Sequence, residues 1–112
     1  VVNNAQQLSL FKVEYNEEIR NRIRLSVAAY AYEYENTSIM SDAEFDRISY
    51  LILPEVKTGK IKLDNFFKKH FEPATGMWVR KHPNKKGLKS IYEKYHNEGG
   101  EFYHSGCWRT SL

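Results

Sequence analysis

Between Tyr15 and Glu35 the apolar positions Ile19, Ile23, Val27, Tyr30 and Tyr34 recur at intervals of four, four, three and four residues, the stripe by which a helix faces a core. Leu25, Ala28 and Ala29 widen it, and Glu17, Arg20, Arg22 and Arg24 take the other face. Those arginines read as a solvated face paired with glutamates such as Glu17, or as phosphate contacts. After a short connection, Ser41 and Glu44 have the spacing of a capping box, in which the hydroxyl accepts from the Glu44 N–H and the carboxylate reaches back to the N–H of Ser41. The second helix, Asp42 to about Leu53, then puts Phe45, Ile48 and Ile52 on a core side before Pro54 stops it. The two helices form a hairpin whose mouth is aromatic and acidic, with Tyr32 facing Asp42, Phe45 and Asp46.

Residues 55–62 are a basic connection, and Asp64 is placed to cap a short third helix carrying Phe66, Phe67 and Phe71 and ended by Pro73. Gly76 to His82 has the aromatic, alternating content of a strand. Asn84 caps a fourth helix, with Leu88, Ile91, Tyr92 and Tyr95 at helical spacing and Gly99-Gly100 as its stop. Glu101 to Arg109 could pair with the first strand. The expected fold is mainly α: a helical hairpin plus two shorter helices, with a two-stranded β-ribbon in the C-terminal half. Residues 1–14 are expected to be a loose N-terminal segment and 15–112 one small domain.

The length of 112 residues suits a single core, and 41% apolar residues make it globular. No apolar run reaches the roughly 18 residues of a membrane span, and no signal peptide is legible. The expectation is a protein without membrane contact, in the cytoplasm. The single cysteine, Cys107, has no internal partner for a disulfide.

Charge divides the chain. Residues 1–56 hold five Lys or Arg against nine Asp or Glu, a balance of −4, and residues 57–112 hold twelve against five, a balance of +7. A basic half attracts a phosphate backbone or an acidic protein surface, and charge alone does not choose between them. Arg80, Lys81, Lys85, Lys86 and Lys89 between Trp78 and Tyr92 are the candidate nucleic-acid contacts, since lysines beside aromatics can hold phosphates while a ring stacks on an unpaired base. The alternative is a basic surface with Trp78 in the core. His70, His82, His96, His104 and Cys107 lack the close pair spacing of a zinc site, and no nucleophile with its base is recognisable, so neither a metal nor a catalytic residue is assigned.

Tyr30, Tyr32 and the run Ser41-Asp42-Ala43-Glu44-Phe45-Asp46 resemble, in register and without a gap, the N-terminal domain of bacterial NAD-dependent DNA ligases. The resemblance covers roughly residues 18–53. It implies a segment that grips the nicotinamide mononucleotide half of NAD, with Tyr32, Asp42, Phe45 and Asp46 as the cofactor-binding residues. Glu33 stands where that family usually has His, and Phe45 where it has Tyr. Gln7-Leu8-Ser9-Leu10-Phe11 is similar to the pentapeptide by which bacterial polymerases and repair proteins dock on the sliding clamp, which implies Gln7, Leu8, Leu10 and Phe11 as partner-binding residues. The other reading is that its apolar side chains pack back on the domain. Together these resemblances suggest a small phage- or prophage-type protein, acting in a bacterial host cell without the ligase adenylation domain and so without nick-sealing activity. Three functions stay open: a non-enzymatic protein docking on the replication or repair machinery, a binder of NAD or nicotinamide mononucleotide with no required cofactor, and an inhibitor of a bacterial host or defence protein.

Overall fold

The computed structural model describes the backbone of residues 4–97 and the side chains of residues 16–94. Its elements are α1 (Asn4–Tyr34), α2 (Asp42–Ser49), α3 (Ile61–His70), a 3-10 helix (Met77–Lys81) and α4 (Lys85–Asn97). The fold is mainly helical, as the periodicities predict, with no strand among the described residues.

The first helix is the spine, packed by α2, the 3-10 helix and α4. Leu25, Val27, Ala28, Ala29, Tyr30 and Ala31 are all buried, so it is enclosed on nearly every side over this stretch. The predicted stripe is therefore too narrow, because three elements pack around this spine. Phe66, Phe67, Trp78, Val79, Leu88, Tyr92, Ile48 and Ile52 complete the core. Each of the fully buried large side chains, such as Phe67, Leu25 and Ile48, contributes about 1.5–3 kcal/mol relative to exposure.

Helix α1 begins at Asn4, so the backbone of Gln7 to Phe11 is helical. It ends at Tyr34; two residues on, Asn36 has a φ of 52°, in the left-handed region that Asn tolerates, while the N–H groups of Glu35 and Thr37 both donate to the Ala31 carbonyl. At α2 half of the capping box forms: the Ser41 hydroxyl accepts from the Glu44 N–H at 3.1 Å. The Glu44 carboxylate turns instead to Arg47 on the next turn, at 3.0 Å from its Nε. Helix α2 ends at Ser49, four residues before the position expected from Pro54. The Leu53 N–H is taken by the Glu18 carboxylate at 3.1 Å and the Leu53 carbonyl by Arg22 at 2.9 Å, so tertiary partners replace the helical bonds of this stretch.

Asp64 lies inside the first turn of α3 and is not its N-cap, which is Lys60. Its carboxylate accepts from the N–H groups of Thr58 and Gly59 at 2.9 and 3.2 Å, holding the turn that precedes the helix, where Gly59 has a φ of 95°. Gly76 to His82 is not a strand. Trp78 and Val79 are adjacent and both buried, which breaks the alternation a strand needs, and the N–H groups of Val79 and His82 bond three residues back to Gly76 and Val79. A strand here would need a partner for its backbone groups, whereas the 3-10 turn satisfies them locally. Asn84 caps α4 as predicted, its amide oxygen accepting from the Gly87 N–H at 3.1 Å. The expected stop at Gly99-Gly100 and the second strand of the ribbon, Glu101 to Arg109, lie outside the described residues.

Candidate functional site

The end of α1, the start of α2 and the connection between α3 and the 3-10 helix enclose a cleft of about 350 Å³. Each wall has a local cause. Tyr32 projects from the last two turns of α1 and stands 69% exposed at the rim. Ser41 starts α2 where it does, and four-residue spacing then puts Asp42 and Asp46 on one side of that helix beside Phe45. Buried Ile39 and Met40 anchor the interhelical connection to the core and line the floor with Ala28 and Ala29.

The facing wall is Ala74-Thr75-Gly76, which the sequence reading missed. Ala74 has a φ of 64°, a left-handed conformation that costs an L-residue about 1–2 kcal/mol, and its N–H is held by the buried Ser49 hydroxyl at 2.8 Å. A Cβ on Gly76 would meet the Ala29 Cβ at 3.1 Å, so glycine lets this wall come down onto α1. The run Pro73-Ala74-Thr75-Gly76 is a turn signal, and the small pair Ala28-Ala29 marks a close approach on α1. Neither shows in sequence that the two meet.

All four cofactor-binding candidates, Tyr32, Asp42, Phe45 and Asp46, therefore line one cleft. Asp42 and Asp46 are exposed carboxylates, Phe45 is half-buried, and no lysine or arginine lines the cleft. Such a lining suits a flat ring with positive charge or several hydrogen-bond donors. Outside the cleft, on the same end of α1, Tyr30 stacks on Tyr34 with centroids 5.3 Å apart and donates to the Glu35 carboxylate at 2.8 Å; burial and that carboxylate push the Tyr30 phenol up to about 12. Glu33 accepts from Arg80 at 2.8 Å, tying the 3-10 helix to the turn of α1 that carries Tyr32.

The nucleic-acid candidates are not brought together as a stacking platform. Trp78 is buried, its ring lies 5.2–6.1 Å from those of Phe66, Phe67 and Phe71, and its indole N–H donates to the Thr75 carbonyl. It belongs to the core and does not offer a face to a base. Arg80 is engaged by Glu33, and Lys85 donates to the His82 carbonyl at 3.3 Å. Lys81, Lys86 and Lys89 are exposed. The side chains of Gln7, Leu8, Leu10 and Phe11 lie outside the described residues, as do His104, Cys107 and the side chain of His96. Among the described residues no group of three His, Cys, Asp or Glu could hold a metal, and no helix is long and apolar enough to cross a membrane.

Of the three arginines on α1, Arg20 pairs with Glu17 at 2.7 Å as expected, and Arg24 lies 3.7 Å from Glu44. Arg22 is not on a solvated face. It is buried over the Phe67 ring, donates to Glu18 at 2.6 Å and to Asp64 at 2.8 Å, and reaches the carbonyls of Leu53 and Val56. Burial works to raise the Asp64 carboxyl, but the Thr58 and Arg22 hydrogen bonds outweigh it and hold the group below the usual carboxylate range. This buried network joins α1, the 50–60 connection and α3, and leaves the cleft to other residues.

Comparison with protein-family models, with curated proteins and with solved structures finds no match to this chain.

Proposed function

We propose that the cleft binds the nicotinamide mononucleotide half of NAD, or the free mononucleotide, and that the protein is a non-enzymatic binding module. The observation that carries this reading is the convergence of Tyr32, Asp42, Phe45 and Asp46 on one cleft of about 350 Å³, within the range of ordinary small-ligand sites. A pyridinium ring is flat and cationic. The faces of Phe45 and Tyr32 attract such a ring, and the carboxylates of Asp42 and Asp46 offset its charge and accept from ribose hydroxyls. With no cation in the lining, the phosphate belongs at the mouth, in water.

Calorimetric titration with nicotinamide mononucleotide tests the reading. Saturable one-to-one binding is expected, weakened about tenfold or more by Asp46→Ala, an exposed position whose substitution leaves the fold intact. Adenosine monophosphate, which lacks the cationic ring, is expected to bind more weakly. Absence of saturable heat, or unchanged affinity in Asp46→Ala, rejects the proposal.

A second reading, docking of the basic half on DNA, is favoured by Lys81, Lys86 and Lys89, which are exposed and form no ion pair among the described residues. It requires that Lys86→Glu with Lys89→Glu abolish such binding.

A further inference from the structure

A second cavity, of about 170 Å³, lies among α1, α3 and α4 and shares no lining residue with the cleft. Its walls are mostly aliphatic: Ile19, Ile23, Leu63, Leu88 and Ile91. The Phe67 ring, also in the lining, is 1% exposed and has the Arg22 guanidinium over its face at 5.0 Å, so it offers little surface for stacking. A cavity of about 150 Å³ takes a six-carbon ring, and this one has room for a six-carbon chain.

A groove between the starts of α3 and α4 adjoins the cavity, and the two share Lys60, Leu63 and Asn84. Lys60 and Asn84 are exposed, so the apolar space meets solvent at this end.

The charges there have one sign left over. The cavity lining holds two cations, Arg22 and Lys60, the groove adds Lys62, and neither lining holds an aspartate or glutamate. Arg22 is spent on Glu18, Asp64 and two carbonyls. Those carboxylates are filled in turn, Glu18 by the Leu53 N–H and Asp64 by Thr58 and Gly59. His82 is buried, its Nδ1 accepts from the Asn84 N–H at 3.0 Å, and burial, with Lys85 nearby, lowers its ring to about 4, so it is uncharged at neutral pH. Lys60 and Lys62 are exposed and form no ion pair among the described residues. An ammonium on a flexible four-carbon stem acts as a point charge and pairs without a fixed geometry.

We infer that this cavity binds a short aliphatic carboxylate, its chain among the isoleucines and leucines and its head at the mouth, where Lys60 pairs with it and Lys62 adds to the field. With Arg22 spent, one ammonium remains in the cavity lining, which matches a single negative charge. A cationic head meets like charge there, and an uncharged head gains nothing from the lysines.

Hexanoate is the probe, titrated into the full chain and followed by amide ¹H–¹⁵N NMR. Saturable shifts are expected at Ile23, Leu63, Leu88 and Ile91, with Tyr32 and Phe45 unmoved. Acetate, with the same head and no chain, is expected to bind at least about thirtyfold more weakly, since each buried methylene is worth roughly fourfold. Hexanamide, with the same chain and no charge, is expected to bind about threefold more weakly, the modest gain of an exposed ion pair. Lys60→Glu changes an exposed side chain that makes no capping bond. It is expected to weaken hexanoate about tenfold and to leave hexanamide unchanged, so the amide reports that the cavity is intact. Leu63→Trp, at a half-buried position, fills the cavity and is expected to abolish binding of both. No saturable shift, shifts confined to the Tyr32 and Phe45 cleft, acetate as tight as hexanoate, or unchanged hexanoate affinity in Lys60→Glu would each overturn the assignment. Because the two sites share no residue, failure here leaves the mononucleotide cleft untouched, and the reverse also holds.

Discussion

The guanidinium of Arg22 donates to the Asp64 carboxylate across 2.8 Å, joining two buried side chains that stand 42 residues apart in the chain. The same guanidinium bonds Glu18 at 2.6 Å and the carbonyls of Leu53 and Val56 at 2.9 Å. One planar group thus fills four acceptors on α1, the 50–60 connection and α3. Arg22→Ala leaves two buried carboxylates without their counter-charge and two part-buried carbonyls without this donor, and is expected to cost about 3–5 kcal/mol in urea unfolding. Arg22→Lys keeps the charge but lacks the fork, and should recover less than half of that loss. If the alanine variant unfolds at the wild-type urea midpoint, the network does not hold these elements together.

Gly76 and Ala29 set the depth of the cleft. A Cβ on Gly76 would lie 3.1 Å from the Ala29 Cβ and 3.5 Å from its Cα, closer than the two elements allow without moving apart. Gly76→Ala is expected to lower stability by about 1 kcal/mol and to weaken mononucleotide binding, since the displaced wall also touches Phe45. Adding Ala29→Gly should restore binding while costing helix propensity of about 1 kcal/mol in α1. Binding that stays low in the double variant would mean that the close approach is not what shapes the site.

His82 gives stability a distinct pH dependence. Burial, with Lys85 as the second cause, lowers its folded pKa to about 4 from an ordinary 6.5, so between these values the unfolded chain binds a proton that the folded chain refuses. Its contribution is complete above pH 6.5 and is lost as pH falls toward 4, at most about 3 kcal/mol over the window. The Asp64 carboxyl is also depressed, but its contribution is lost only as pH falls below the ordinary carboxylate range, so the two steps separate. His82→Asn keeps an acceptor for the Asn84 N–H and cannot titrate. Urea midpoints measured from pH 7 to 4.5 should fall in the wild type and stay nearly level in this variant, and parallel slopes would assign the loss to other groups.

Much of the site was legible because its signals are local. Ser41 three residues before Glu44 announces where α2 starts, and helical spacing then carries Asp42, Phe45 and Asp46 to the same side. The position of Tyr32 near the end of α1 follows from the same periodicity. Ala74-Thr75-Gly76 was not legible as a wall, since nothing in a turn sequence tells which helix it will lie against. For Trp78 the sequence leaves two readings open, a stacking ring beside lysines or a core ring under a basic surface, because its neighbours in the chain are basic; its neighbours in space, Phe66, Phe67 and Phe71, decide for the core.

Periodicity and capping residues determined by themselves that this is a helical protein with a hairpin near its middle and a capped fourth helix, because those signals act over three or four residues of one chain. The tertiary structure decided the rest. It buried Arg22 by supplying Asp64 and two carbonyls from distant segments, and ended α2 by taking the Leu53 backbone for Glu18 and Arg22. It also wound Gly76 to His82 into a 3-10 turn with Trp78 and Val79 in the core. In each case a polar group or a ring had two acceptable environments locally, and the choice fell to whichever distant partner could satisfy it away from water.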